Sequence, residues 1–166
     1  FPKSSLIAIT IDEGISGYRE EGLVIARRNA SRLNIPHFVF SFKEIFGYSI
    51  DEIMQDERVR KSGVSACSFC GSLRRRALNQ KARELKATKL VTGHNLDDES
   101  QTILMNYLRG DVDRMKRMNG GTQPGLVPRI KPFRSIPEKE VALYGILNGL
   151  PVSTDECPYA AGALRN

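Results

Sequence analysis

The sequence has few of the residues that mark secreted or membrane proteins. It contains no tryptophan, two histidines and three cysteines among 166 residues. Three cysteines are too few, and an odd number, for the disulfide framework of a small secreted protein, so a reducing, cytoplasmic location is expected. No apolar stretch approaches the ~20 residues of a membrane span, so no membrane partner is expected. The phosphate-loop pattern G-x-x-x-x-G-K-[ST] is also absent.

The charge balance is basic. Lysine and arginine number 25 against 19 aspartates and glutamates, which gives a net charge of +6 and a pI of about 9.4. The apolar fraction of 40% is that of an ordinary globular protein. The positive excess favours a polyanionic partner such as a nucleic acid, although a solvated basic surface gives the same arithmetic.

Apolar periodicity predicts an α/β protein. Strand-like runs occur at 6–11, 37–42 and 89–92, and helical patterns occur at 23–33, 50–60, 78–85 and 97–108. This alternation predicts an open parallel sheet with helices on both faces and a site at the carboxyl ends of its strands. Residues 111–136 read as a loop, and Ser135-Ile136-Pro137-Glu138 as a capping box that opens a helix to about Gly149.

The turn at Gly93 is a candidate ligand site. Glycine lets a backbone approach a ligand closely, and Asn95 can cap the following helix, whose N-terminus attracts phosphate. Asp97 and Asp98 lie beside it and could hold Mg²⁺ or orient a nucleophile. The alternative is that these acids only complement the helix dipole.

The three cysteines allow several chemistries. Cys67 and Cys70 form a C-x-x-C pair, and Cys157 lies 87 residues further on. The pair alone could be a redox site, and all three with His37 or His94 could hold zinc. Three thiolates can also hold an iron–sulfur cluster that leaves one iron open, or Cys157 could be an ordinary buried residue. Spacing does not decide among these readings.

Several motifs in order resemble one family. The segment 93–111 resembles the second nucleotide motif of PP-loop ATP pyrophosphatases that modify tRNA. Nearest are the tRNA 2-thiouridine synthetases of the TtuA and cytosolic tRNA thiolation type. The resemblance extends over nearly the whole chain through the segments 12–15, 17–19, 67–79, 129–134, 137–140 and 156–159.

The resemblance implies a function and a set of site residues. ATP would adenylate the C2 oxygen of a tRNA uridine, and a sulfur would displace AMP to give 2-thiouridine. The resemblance assigns a [4Fe-4S] cluster to Cys67, Cys70 and Cys157, and catalysis to Asp98, Asp97 and Arg74. It assigns nucleotide binding to Gly93, His94, Asn95 and Asp98. It assigns tRNA binding to Arg129, Lys131 and Arg134. Mg²⁺, a sulfur donor (sulfide or a ubiquitin-like thiocarboxylate protein) and a homodimer accompany these assignments.

Two alternatives and one absence accompany this interpretation. The alternatives are a cluster-dependent tRNA 2-thiocytidine synthetase and a non-catalytic zinc- or nucleic-acid-binding module. The family's Ser-Gly-Gly-x-Asp-Ser loop, which follows its first strand, does not occur here. We therefore expect residues 1–166 to be a single catalytic PP-loop-type domain that lacks this first strand and is part of a longer chain.

Overall fold

The computed structural model describes residues 4–118, 125–153 and 155–162, and its contacts divide the chain into two compact units. The first unit contains residues up to Leu78 and from Leu150 onward, and the second contains Asn79–Gly149. In the described residues, no helix combines the length and apolar character needed to cross a membrane.

The first unit is built on a parallel strand pair. Strands β1 (Ala8–Asp12) and β2 (His37–Ser41) pair in register from Ala8 opposite His37 to Asp12 opposite Ser41. Its helices are α1 (Arg19–Arg32), α2 (Phe42–Phe46), α3 (Ile50–Gln55), α4 (Glu57–Ser62) and most of α5 (Ala66–Glu84), followed near the end of the chain by a 3-10 turn (Ala160–Gly162).

The core of the first unit lies around the carboxyl end of β1. Phe42 and Ile50 are fully buried there and pack with Ile11 and Ile15. Both α2 and α3 begin with capping boxes, in which Ser41 and Ser49 each accept a backbone N–H three residues ahead. These caps fix where the two short helices start, and so they fix the first buried residue of each.

The second unit contains another parallel pair. Strand β3 (Leu90–Val91) pairs with β4 (Arg129–Ile130), and the helices are the end of α5, α6 (Leu96–Leu108), α7 (Val112–Met118) and α8 (Glu138–Leu147). The prediction of an α/β fold with parallel strands is confirmed. Among the described strands, however, hydrogen bonding gives two separate pairs where a continuous sheet was expected.

Several local predictions need correction. The helix expected at 50–60 is two helices, because Asp56 accepts the Arg58 N–H and starts α4. The loop expected at 111–136 contains α7 and β4, while residues 119–124 of that stretch lie outside the described residues. The Ser135–Glu138 capping box is wrong: α8 has Pro137 at its N-cap and no side-chain cap from that residue.

Gly14 provides a direct test of packing just beyond β1. It has φ +67°, and a Cβ built on it would lie 2.5 Å from the Ser49 Cβ. Gly14→Ala therefore combines backbone strain with a clash, and we expect it to lower the free energy of unfolding by about 2–4 kcal/mol. Chemical denaturation measures the loss.

Gly17→Ala is the matched control for that experiment. Gly17 has a similar φ of +74°, but an added Cβ would meet nothing within 4 Å. Only the backbone cost of about 1 kcal/mol applies there. Equal losses in the two variants would contradict the packing of Gly14 against Ser49.

Candidate active site

The three cysteines Cys67, Cys70 and Cys157, here called the thiol set, are the first predicted site, and two of them lie at the start of α5. Cys67 and Cys70 stand one helical turn apart, and Cys157 packs, with Cys70, against the core of the first unit. All three cysteines are free and half-buried. The Cys67 thiol also lies near the Tyr159 carbonyl oxygen, two residues beyond Cys157.

A second link holds the Cys157 segment to the same region. The Tyr159 hydroxyl donates to Asp51 Oδ1 at 2.8 Å, and the Cys67 thiol is 3.7 Å from the Tyr159 carbonyl oxygen. Asp51 also accepts the Ser16 N–H through Oδ2 at 2.9 Å. One carboxylate on α3 therefore joins the segment that carries Cys157 to the loop after β1.

Tyr159 yields a prediction about stability and pH. Burial, followed by the hydrogen bond to Asp51, raises the pKa of Tyr159 from its usual 10.0 to about 12. The stabilisation is complete below pH 10 and is lost as the pH rises through about 12. We expect Tyr159→Phe to lower the free energy of unfolding by about 1–2 kcal/mol at pH 8.

Paired denaturation curves of the wild type and Tyr159→Phe across this pH range check the prediction. The difference between the two proteins should be constant up to pH 10 and disappear near pH 12. A difference that persists unchanged above pH 12 would contradict a role for the Tyr159 hydroxyl proton.

Arg74 contacts the thiol set directly. Its Nη2 donates to Cys70 Sγ at 3.3 Å, and its Nε donates to Glu13 Oε1 at 2.6 Å. Burial raises the pKa of the Cys70 thiol, and the Arg74 charge opposes that rise. Burial lowers the pKa of Arg74, but the charges of Glu13 and Cys70 outweigh it and the pKa is raised. Arg74 is therefore a fixed positive charge beside a sulfur.

Three cysteines without disulfide partners could supply the thiolate ligands of an iron–sulfur cluster. A metal with Zn–S bonds near 2.3 Å requires sulfurs about 3.8 Å apart. In the described residues, no three His, Cys, Asp or Glu side chains are arranged to hold a metal ion. A cluster held by three thiolates would leave one iron without a protein ligand. The three thiols are free and half-buried, and the Arg74 guanidinium lies beside the Cys70 sulfur.

The Gly93 turn forms the second predicted site, in the second unit. It follows β3, and Gly93 is exposed, with open space where a Cβ would lie. The prediction that Asn95 caps α6 is confirmed, since its side chain accepts the Asp98 N–H at 2.9 Å. Asp98 Oδ2 accepts the Asn95 N–H at 3.1 Å in return, so the two residues form a capping box.

The acids after Asn95 have different partners. Asp97 Oδ2 accepts the Glu138 N–H at 2.7 Å and so caps α8 from outside that helix. This contact replaces the local Ser135 cap that the sequence predicted. Glu99 is buried and pairs with Lys131. A carboxylate presents about four lone-pair sites, so the backbone N–H that Asp97 accepts does not by itself prevent Asp97 from binding a cation.

His94 is affected by burial and by positive charges of the 129–134 segment. Its Nδ1 is 3.0 Å from Thr92 Oγ1. Burial lowers the pKa of His94, and the charges of Lys131 and Arg129 lower it further. The imidazole is therefore neutral at pH 7, and it can donate or accept a hydrogen bond without adding charge beside the turn.

The three predicted tRNA-binding residues are not equivalent. Arg129 and Arg134 are exposed, whereas Lys131 is half-buried and held by Glu99. Sequence reasoning also assigned no role to Glu13 and Asp51, although both organise the thiol set. The signal for Glu13 was its place directly after a buried strand, where ligands bind in α/β proteins.

The fold and the thiol set together define an α/β protein with parallel strands and a cysteine-rich site at a strand's carboxyl end. No protein-family model matches the chain. Comparison with known proteins confirms the resemblance to tRNA 2-thiouridine synthetases. The chain is 40% identical over 176 residues to tRNA 2-thiolation protein NcsA of Haloferax volcanii, covering 99% of this chain and 53% of that protein. It is 41% identical to cytoplasmic tRNA 2-thiolation protein 1 of Bos taurus, covering 97% and 48%.

A solved structure agrees with the sequence comparison. The U34-tRNA thiolase NcsA from Methanococcus maripaludis, solved with its [4Fe-4S] cluster, matches with a TM-score of 0.83 and 39% identity. The match covers 96% of this chain and 52% of that one. The chain therefore spans about half the length of the relatives that it matches.

Proposed function

We propose that the chain is part of an ATP-dependent tRNA sulfurtransferase that makes 2-thiouridine. The proposal is carried by the placement of Cys70 and Cys157 against one core, with Cys67 one turn from Cys70 and Arg74 at the Cys70 sulfur. Similarity of about 40% to tRNA 2-thiolation proteins supports it. ATP adenylates the uridine C2 oxygen and releases pyrophosphate, and a sulfur then replaces that oxygen as AMP leaves.

In this proposal the three thiolates hold a [4Fe-4S] cluster. When bound, the cluster supplies an iron without a protein ligand, at which the sulfur for transfer is held. Arg74 places a positive charge at the Cys70 sulfur, where it offsets the negative charge of the thiolate ligands. Tyr159 and Asp51 hold the Cys157 segment in place.

The Gly93 turn is proposed to bind ATP. Gly93, His94 and Asn95 would line the nucleotide, with the exposed Gly93 backbone free to approach it. Asp98, with Asp97 second, would hold Mg²⁺ or act on the reacting groups. The N-terminus of α6 adds partial positive charge toward the phosphates.

Metal and nucleoside analysis test the proposal. The natural protein that carries these residues, prepared without oxygen, should contain iron and sulfide in equal amounts and should form 2-thiouridine in tRNA. One zinc ion per chain without iron would favour a binding module instead. A 2-thiocytidine product would favour the related cytidine enzymes.

The basic segment allows a test of tRNA binding. Arg129 and Arg134 are exposed and are proposed to contact phosphate. We expect Arg134→Gln to weaken tRNA binding modestly and to reduce the slope of log affinity against log salt by about 1. Binding titrations at several salt concentrations measure this slope.

Lys131→Gln should behave differently from Arg134→Gln. It removes the partner of the buried Glu99, so we expect a loss of about 1–3 kcal/mol in the free energy of unfolding. We propose that the main role of Lys131 is to pair with Glu99, and that its contribution to tRNA binding is smaller than that of Arg134. A stability loss in Arg134→Gln equal to that in Lys131→Gln would contradict this distinction.

The remaining partners also belong to the proposal. We infer that both units are parts of one catalytic domain within a longer chain. It acts in the cytoplasm, with sulfide or a ubiquitin-like thiocarboxylate protein as sulfur donor.

A homodimer is also proposed, because two helices of the second unit carry exposed apolar side chains. These are Ile103, Leu104, Tyr107 and Leu108 on α6 and Leu143, Tyr144, Ile146 and Leu147 on α8. Sedimentation at increasing concentration tests for the dimer.

A further inference from the structure

Glu13 is the most deeply buried charged residue in the first unit among the described residues. Its side chain is 1% exposed, and two arginines approach it. Arg74 Nε donates to Oε1 at 2.6 Å. Arg19 Nε lies 2.6 Å from Oε2 but is not aligned for a hydrogen bond, so that contact acts as an ion pair. A buried carboxylate with two cationic partners is costly to maintain unless its position matters.

The arginine fork lets Arg74 bridge two partners at once. Nε points to Glu13 and Nη2 points to Cys70 Sγ. A guanidinium holds its donors in a rigid plane, so fixing one N–H also fixes the direction of the other. The Arg74 side chain is 47% exposed, so packing alone does not hold it.

Arg19 holds the other side of the carboxylate. Its Nη2 donates to the Ile11 carbonyl at 2.8 Å, which ties it to the end of β1. Glu13 is thereby fixed between the backbone of a buried strand and α5. The path from the strand to the sulfur runs through Arg19, Glu13, Arg74 and Cys70, and each step is a direct contact.

We propose that Glu13 is a positioning residue whose buried carboxylate holds the Arg74 guanidinium against the Cys70 sulfur. This placement would keep a positive charge and an N–H donor beside a sulfur that ligates the cluster. The consequence for the cluster rests on the proposed function, whereas the placement of Arg74 does not. No residue other than Glu13 bonds to Arg74 Nε in the described contacts.

The placement of Arg74 can be measured without any cluster. In the natural protein that carries these residues, labelled with ¹⁵N-arginine and reduced without metal, the Arg74 Nε–H should exchange slowly with solvent. We expect Glu13→Gln to speed that exchange about tenfold or more, as loss of a charge-assisted hydrogen bond does. Arg74→Gln assigns the signal. Arg75→Gln is the matched control, because Arg75 is exposed and bonds only to the Gly71 carbonyl in the described contacts.

Glu13 could affect the cluster in two ways, as a nearby negative charge or by holding Arg74 at the sulfur, and these shift the cluster's reduction potential in opposite directions. If Glu13 acts only as a nearby negative charge, Glu13→Gln should raise the potential. If it holds Arg74 at the sulfur, the variant should lower the potential, as Arg74→Gln does, because a donor and a cation at the sulfur favour the reduced state. The double variant should then shift no further than Arg74→Gln alone.

Each outcome decides the proposal. Fast exchange of Arg74 Nε–H in the wild type, at the rate of a fully solvated arginine, overturns it even if no variant folds. Slow exchange retained in Glu13→Gln, or a raised potential, overturns it as well. Loss of protection with a lowered, non-additive potential supports it. If the wild-type protein binds no cluster, the proposed cofactor fails, but the exchange rates still decide the role of Glu13.

Discussion

Replacing Cys67, Cys70 or Cys157 with alanine is expected to reduce 2-thiouridine in tRNA below detection. Cys70 and Cys157 pack against one core, and the Cys67 thiol lies 3.7 Å from the Tyr159 carbonyl oxygen. Removing one leaves two thiolates, which do not provide the three protein ligands that the proposed cluster needs. Iron content and 2-thiouridine should therefore fall together in each single variant.

Ser68→Ala is the matched control for the cysteine variants. Ser68 lies between Cys67 and Cys70 on α5, is exposed, and bonds to Ser65. We expect it to keep both iron and thiolation. Nucleosides from digested tRNA are measured by mass spectrometry after reaction without oxygen, and circular dichroism confirms that the variants fold. Thiolation retained in Cys157→Ala would remove Cys157 from the proposed site.

Asp98→Asn is expected to lower the turnover number by about 10²–10⁴, the range for loss of one catalytic or charge-stabilising group. The substitution is chosen because an asparagine oxygen can still accept the Asn95 N–H, so the capping box at α6 is retained. Only the charge is removed. A fall in kcat with unchanged stability would therefore report on catalysis and not on helix capping.

Two further variants sharpen the test of Asp98. Gln101→Ala changes an exposed residue on the same helix and should leave the rate unchanged. Asp97→Asn should cost less activity than Asp98→Asn, because Asp97 is the second choice and its carboxylate already caps α8. The release of pyrophosphate from ATP in the presence of tRNA measures the rate. A normal turnover number in Asp98→Asn would show that Asp98 only caps α6 and has no catalytic role.

Local sequence signals predicted the elements whose causes are local. The helix at 97–108 is α6 at Leu96–Leu108, since Asn95 supplies its cap from the adjacent residue. The strand at 37–42 is β2 at His37–Ser41, one residue shorter because Ser41 caps α2. For these two elements the capping partner is local, and the pattern of residues was sufficient, whereas the equally local break at Asp56 was missed.

Distant partners explain what the sequence missed. The cap of α8 comes from Asp97, 41 residues before Glu138, so the local Ser135 pattern was misleading. The sequence predicted that Lys131 binds tRNA, and it gave no sign that Lys131 pairs with the buried Glu99. In each case a hydrogen bond or ion pair to a residue far away in the sequence decided the role of the side chain, and local sequence patterns contain no information about such a partner.

The sequence by itself determined the α/β class and the resemblance to tRNA thiolation proteins, and it predicted the three cysteines as cluster ligands. Those inferences depend on residue types, periodicity and motif order, which are all properties of the chain in one dimension. Only the tertiary structure decided that Glu13 holds Arg74 and that Asp51 ties the Cys157 segment to α3. These contacts join residues 61 and 108 positions apart, and only folding brings such residues within hydrogen-bond distance.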